Sequence, residues 1–568
     1  ARSLPRAIAD LDFPKTMRWE ATGFRFARPI RWLTCLLGEE VVPLTVAGVT
    51  ADRITRGHRV LAPGPHPLAT AAEYERVLRA AGVMLDPEER RARLVAAGDA
   101  LARAIGCRVV WDTELLAEVV YQVEWPTPLL GAFSPEYLAL PAPILATVLR
   151  RHQRNFSLVE ASGALAPRFL AVRDGGERGL DAIRAGHERA LARRLADVAA
   201  AEAEDRRTTL AEQRERLRHV TFFAGLGTLA DRALRLEALA DWLCAQIGRD
   251  EAIPLARRAA SLAKADLVSR LVAELPELQG IVAGLAAERE GELEPVATAI
   301  AEHYRPRTPT EALPATFLGR VVALADRLDL LAAAFLLGKA PTGSEDPLGL
   351  RRAAHAVIAI LAQWPPLSQG AAIATALRQI ADQGLPESEV VAPDAARIGL
   401  VRFLDGRLAA WLGERGVPPD FVEAALAVGS DPLATAVARA EFLRDWAKDD
   451  PEGLRAVALA ATRVRNLVGP LDAAPPTGDL DRLVHPAELA LRAIADERLD
   501  GWHQMAARGD WHCLVRDWRP LAAAIARFFA EVLVMVDDPA LRAARLTLLR
   551  RFDGAFRTLA DFARLTRP

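Results

Sequence analysis

The chain has 568 residues, of which 51% are hydrophobic and 26% charged, with a formal net charge of −2; this is the composition of a globular protein too long for a single core. No apolar run approaches the roughly 20 residues of a membrane span, no basic-then-apolar leader is visible, and the near-zero charge gives no global pull toward nucleic acid. Cys35, Cys107, Cys244 and Cys513 lie far apart without CxxC spacing, which excludes a zinc ribbon and favours buried thiols in a reducing, cytoplasmic compartment.

Residues 1–177 alternate short β-leaning runs (IRWLTCLLG, EVVPLTVAGV, CRVVW, EVVYQVEWPTPLLG, RFLAVRD) with helical ones (AAEYERVLRAAGVML, PAPILATVLRRHQRNF), and predict α+β modules. Residues 178–220 are charged and proline-free and read as a helical connector. Residues 221–370 form amphipathic helices punctuated by Pro254, Pro276, Pro306, Pro309 and Pro314. Residues 371–440 and 441–568 continue the helical pattern, with linker signals at 364–370, 384–396 and 469–479.

Motifs for nucleotide chemistry are missing. The sequence contains no GxxxxGK[ST] loop, no dinucleotide-type glycine turn, no HxGH or KMSK-like pair, no class II synthetase motif, no HExxH and no GxSxG. No residue is therefore assigned a catalytic role, and no metal is assigned to this chain.

Ten stretches, in order from end to end, carry a resemblance. They are MRW (17–19), FARPIRWLTCLLGEEVVPL (26–44), ITRGHR (54–59), EVVYQVEWPTPLLGAF (118–133), LRRHQRNFSLVEASGALAPRFLAVRDGG (149–176), RLRHVTFFAGLGTLADRALRL (216–236), KADLVSRLVAELPELQG (264–280), AIAEHYRPRTPTEALP (299–314), ALADRLDLLAAAFLLGKAPTGSEDPLGLRRAA (323–354) and FFAEVLVMVDDPALRAARLTLL (528–549). Together they resemble the β subunit of the bacterial two-subunit glycyl-tRNA synthetase, with a further N-terminal segment expected before residue 1.

The resemblance implies a multidomain protein: α+β modules like those of the phenylalanyl-tRNA synthetase β chain, then mostly helical domains. These would include a degenerate histidine-aspartate (HD) type domain over 221–370 and an anticodon-binding helical domain, similar to that of arginyl-tRNA synthetase, over 441–568. It also implies an α2β2 ligase in cytoplasmic protein synthesis. The α subunit would carry the site for glycine, ATP and Mg2+, and this chain would bind tRNA(Gly). The sequence-level alternatives are a metal-dependent phosphohydrolase of the HD type and a stand-alone RNA-binding scaffold.

Asp266 and Asp326 are the expected remnants of the HD-type metal site. Ala265 stands where a ligand histidine belongs, His303 is the nearby imidazole, and Lys264 would compete with a cation. RNA contacts are expected at Arg463, Arg465 and Asn466 in ATRVRNLV, and at Arg542, Arg545 and Arg551 in a C-terminal stretch with seven arginines against two aspartates. Further candidates are Arg151 and Arg154, with His152 and Gln153 beside them, and Arg53, Arg56 and His58, where Gly57 would admit a partner's backbone. Trp19, Trp32 and Trp125 are candidates for the partner interface.

Overall fold

The computed structural model describes residues 3–13, 15–341, 346–383, 390–469 and 477–566. The linker signals at 384–396 and 469–479 therefore fall partly outside the described residues. The chain forms two compact units, Ala1–Arg207 with Arg270–Leu278, and Thr208–Ser269 with Gln279–Pro568.

The first unit is the α+β part. Its N-terminal hairpins pair Leu36–Leu37 with Glu40–Val41, Thr45–Val46 with Val49–Thr50, and Ile54–Arg56 with Pro65–Pro67. The main sheet has four antiparallel strands, β1 (Cys107–Val109), β2 (Pro126–Ala132), β3 (Phe156–Glu160) and β4 (Leu165–Asp174), in the order β1-β3-β4-β2. The edge place of β2 explains how WPTPLLG forms a strand, since prolines lacking an N–H are tolerated only where one side of the ladder is unpaired. Two helices pack on the sheet. Helix α1 (Pro87–Ala104) is started by Asp86, which accepts the Glu88 N–H, and α2 (Thr113–Gln122) by Asp112, which accepts that of Leu115. Leu94, Leu116, Val120, Phe156 and Leu170 form the core between them. Helix α3 (Ala142–Gln153) ends where Arg154 turns left-handed at φ 51°. Helix α4 (Leu180–Asp205) buries Leu191, Leu195 and Val198 along one stripe. The connector predicted over 178–220 is thus split, α4 belonging to the first unit and the helix Leu210–Arg216 to the second.

The second unit is helical: α5 (Leu229–Gln246), α6 (Ile253–Leu262), α7 (Ile281–Glu290), α8 (Glu294–Glu302), α9 (Phe317–Leu336), α10 (Leu350–Leu361), α11 (Gln369–Ala381), α12 (Pro393–Glu414), α13 (Leu433–Asp449), α14 (Pro451–Val468), α15 (Pro486–Ala507), α16 (Trp511–Glu531) and α17 (Pro539–Phe556), among shorter turns. Helix α9 buries nearly every residue, with Asp326, Arg327 and Asp329 among its apolar side chains, so it is the axis on which α5, α8, α10, α11 and α12 pack. One continuous hydrophobic core joins residues from Leu210 to Leu565.

Gly131 on β2 faces Phe169 on β4, which is fully buried, and a Cβ at 131 would run into the Phe169 ring. We expect Gly131→Val to destabilise the first unit by about 2 kcal/mol or more through overpacking, measurable as a lower midpoint in urea unfolding.

Candidate functional site

Four elements of the second unit converge on a buried polar cluster. Thr228 caps α5 in a reciprocal box with Asp231, which fixes the first turn and aims Arg232 and Arg235 inward. Lys264 and Asp266 follow the end of α6, His303 and Tyr304 follow α8, and Asp326, Arg327 and Asp329 lie on α9. Thr316 caps α9 by accepting the Gly319 N–H, and Glu302 in turn accepts the N–H groups of Ala315 and Thr316.

Lys264 is the centre of this cluster. Its Nζ lies 2.6 Å from Asp326 Oδ1 and 2.9 Å from His303 Nε2, and 3.8 Å from the centre of the Tyr304 ring. His303 donates its Nδ1–H to the Ile300 carbonyl at 2.6 Å, so Nε2 carries a lone pair and accepts from the lysine. Burial first, and then the Lys264 charge, hold His303 well below the usual histidine range. Burial pulls Lys264 down to about 7 against the opposing attraction of Asp326. Burial works to raise Asp326, but Lys264 and then Arg232 outweigh it and hold this carboxyl well below its ordinary range.

The arginines complete the neutralisation. Arg232 reaches Asp326 at 2.9 Å and Asp329 at 3.0 Å, and Arg235 meets Asp329 at 2.6 Å. Arg327 donates to the His303 carbonyl. Asp266 points elsewhere: its Oδ2 accepts the N–H groups of Gly280 at 2.7 Å and Ala283 at 3.1 Å, capping the start of α7. Burial raises Asp266 to about 6, with those two N–H groups resisting.

This arrangement does not fit a divalent metal. Asp266, Asp326 and His303 do not bring three ligand atoms within 4.8 Å of one another, and a lysine ammonium already occupies the position between Asp326 and His303 that a cation would take. Arg232, Arg235 and Arg327 add further positive charge around it. The expected remnants are thus a helix cap and an ion-pair acceptor. Lys264 is legible in the sequence as a competitor for a cation; Arg232 and Arg235, which complete the charge balance from a separate helix, are not.

Among the described residues one other trio, His58, Glu124 and Asp174 in the first unit, brings ligand-type atoms within 4.8 Å of one another. His58 Nδ1 accepts the N–H groups of Val60 and Leu61, at 3.1 and 3.2 Å, which puts the ring proton on Nε2, 3.1 Å from Asp174 Oδ1. Asp174 Oδ1 also takes the N–H groups of Glu124 and Trp125. The trio is a staple between a loop and two strands, and its imidazole has no lone pair free for a metal.

The predicted RNA-facing residues separate by what already holds them. His58 is 1% exposed, and the close approach at Gly57 is to Ala62, His66 and Ala81 of the same chain. Both depart from the expectation of an RNA face, because the loop folds back on its own carbonyls. Arg53 donates to the carbonyls of Glu39, Leu68 and Ala69. Arg151 pairs with Glu277, and Arg154 with Glu118; the side chain of His152 lies outside the described residues, and Gln153 is half-buried. Arg465 meets Asp553 at 3.1 Å, Arg545 meets the buried Glu488 at 2.6 Å, and Arg551 meets Asp496 at 2.7 Å. Arg542 donates to the Val536 carbonyl. Arg56, Arg463 and Asn466 are exposed, and the last two share one face of α14. Phe552 and Phe556 are core residues. Ala544 is fully buried beside Gly478. Of the three tryptophans, Trp32 is the exposed one, at 49%.

A family model described as "Glycyl-tRNA synthetase beta subunit" matches residues 1–427. The chain belongs to that family. It is 41% identical over 558 residues to the "Glycine--tRNA ligase beta subunit" of Moorella thermoacetica, covering 98% of this chain and 80% of that protein. Proteins of the same name from Desulfitobacterium hafniense (38% over 564 residues) and Myxococcus xanthus (37% over 566) match 98% and 99% of this chain, and 80% of their own lengths.

Two outcomes test the cluster. Lys264→Met should destabilise the second unit by about 3 kcal/mol, because it leaves the Asp326 charge buried with one partner fewer, as read by denaturant unfolding. Asp266 has a folded value raised to about 6, so its contribution to stability is full below the unfolded value of about 3.9 and is lost as pH rises through 6. Asp266→Asn keeps an acceptor for the Gly280 and Ala283 N–H groups. Its stability relative to the wild type should improve by about 2 kcal/mol between pH 4 and pH 7, and a flat difference across that window would refute the assignment.

Proposed function

We infer that this chain acts as the tRNA-binding β subunit of a glycine–tRNA ligase and leaves glycine activation to an α partner. The observation that carries this is the family match over residues 1–427 together with 41% identity across 98% of the chain. ATP and Mg2+ serve the holoenzyme on the α subunit in this reading, and the pair assembles as α2β2 in the cytoplasm. No described helix is long and apolar enough to cross a membrane.

The second unit supplies a metal-free HD-type scaffold and, over 441–568, the anticodon-binding helices. Support for the first comes from Lys264, which also disfavours a phosphohydrolase. Support for the second comes from the basic, solvent-facing side of α14. Arg463 and Asn466 can meet a phosphate and a base edge without first breaking an internal ion pair. Arg465, Arg545 and Arg551 shape that surface from within.

Glycyl-tRNA should form when this chain, the α partner, glycine, ATP and tRNA(Gly) are combined, and should fall to background when either protein is omitted. Undiminished aminoacylation by the α subunit alone would refute the reading. Arg463→Ala should weaken tRNA binding several-fold and reduce the salt slope by about one, with no change in melting temperature. Arg545→Ala should instead lower stability by about 3 kcal/mol, since the buried Glu488 loses its counter-charge.

A further inference from the structure

A cavity of about 340 Å³ in the second unit is lined by Ile247, Arg249, Phe317, Arg320, Gln363 and Trp364, with Ala315 and Pro365. Two aromatic rings form its platform: Phe317 and Trp364 stack with centroids 5.5 Å apart and planes 25° from parallel. Both are fixed at helix ends. Phe317 is the first residue of α9, directly after the Thr316 cap, and Trp364 follows α10 immediately before Pro365 and Pro366, which stop the helix. The Arg249 guanidinium lies 4.8 Å from the centre of the Phe317 ring.

The polar groups around this platform are cationic or neutral. Arg320 uses its Nε–H on the Pro314 carbonyl at 2.9 Å, which leaves its terminal amino groups without a carboxylate among the described residues. Arg249 is paired through Nε with exposed Glu251. Neither the Gln363 amide nor the Trp364 indole N–H has a hydrogen-bond partner among the described residues. No carboxylate lines this cavity, again among those residues. The larger cavity beside α6, about 680 Å³, is different in kind: Glu212, Glu215 and Glu237 there balance Arg214, Arg257 and Arg258.

We propose that the Phe317–Trp364 cavity binds one unpaired nucleotide, its base against the stacked rings and its phosphate between Arg249 and Arg320. Aromatic faces and guanidinium planes are the surfaces on which splayed bases stack, and the arginine fork matches a phosphate. The Gln363 amide offers a donor and an acceptor to a base edge. The volume lies at the low end for a ligand pocket, right for a single nucleotide and too small for a duplex. That the nucleotide belongs to a tRNA rests on the function proposed above; the pocket chemistry does not.

The test uses the full chain assembled with its α partner, with tRNA(Gly) and AMP as separate probes at fixed salt. Arg249→Ala with Arg320→Ala changes side chains that reach solvent, and melting temperature checks that the fold is kept. We expect tRNA affinity to fall about tenfold and the salt slope to drop by about two. Ultraviolet cross-links from tRNA to the peptides carrying Phe317 or Trp364 should be lost as well. Saturable AMP binding that the double substitution abolishes, with tRNA affinity intact, would overturn RNA as the source and leave a free nucleotide. Wild-type tRNA affinity in the double variant, with no cross-link and no AMP binding, would overturn the proposal. A wild-type complex that fails to bind tRNA at all would overturn the function on which the RNA assignment rests.

Discussion

A lysine ammonium sealed among helices holds the second unit in its present form. Lys264 sits between Asp326 and His303, and each of the three constrains the others. The carboxylate offsets part of the cost of burying the ammonium, and the ammonium donates to the imidazole as an acceptor. The tightly bonded imidazole then ties the end of α8 to the turn after α6. An inorganic ion would make its contacts with whichever ligands reach it, and its occupancy would depend on free concentration. A covalently attached cation has no dissociation step. The helices around it close on an internal cation instead.

That substitution also explains the distribution of the buried arginines. Arg232 and Arg235 both aim at Asp329, and Arg232 also reaches Asp326. Four cations, Lys264, Arg232, Arg235 and Arg327, thus surround two carboxylates within one apolar core, with Asp266 turned away to cap α7. Removing either carboxylate leaves buried cations without compensation, and such networks tolerate change poorly although they contribute little net stability over an apolar core. Functional plasticity is not expected at such a place. Surface residues at helix ends, held by caps and free of internal partners, are better placed to meet a ligand.

Which parts of this were legible in the sequence follows from range. The α+β character of the N-terminal region and the helical character of the remainder rest on local period and were readable from a few residues at a time. So was the mismatch at Ala265. The pairing of arginines was not readable, because the acids that hold them are remote: Arg545 is held by Glu488, Arg465 by Asp553 and Arg151 by Glu277. Arginine-rich composition therefore marks a region, while the fold decides which of its arginines face solvent. RITRGHR illustrates the error most plainly. Its glycine and histidine suggested an open surface, yet the loop closes on itself through the backbone N–H groups of Val60 and Leu61. Phe317 and Trp364 were hidden for a similar reason, lying 47 positions apart in the numbering and meeting only when α9 and α10 pack.

A closed polar interior and a stiff surface are compatible demands on one scaffold. A catalytic metal requires an open coordination position and a path for water, which places polar ligands at the bottom of a cleft and limits how tightly the surrounding helices close. Once Lys264 fills that position, the helices can pack over it, as the complete burial of Asp266, His303 and Asp329 shows. A rigid axis such as α9 then holds its first turn in a fixed place, with Phe317 and Arg320 projecting from it. Recognition of a flexible strand benefits from this rigidity, because the ordering cost falls on the RNA alone and the protein brings its stacking face and its cations already aligned. The buried ion pair and the platform thus meet on one helix, with Asp326 in its middle and Phe317 at its start: the contacts that close the interior are what let the surface be stiff.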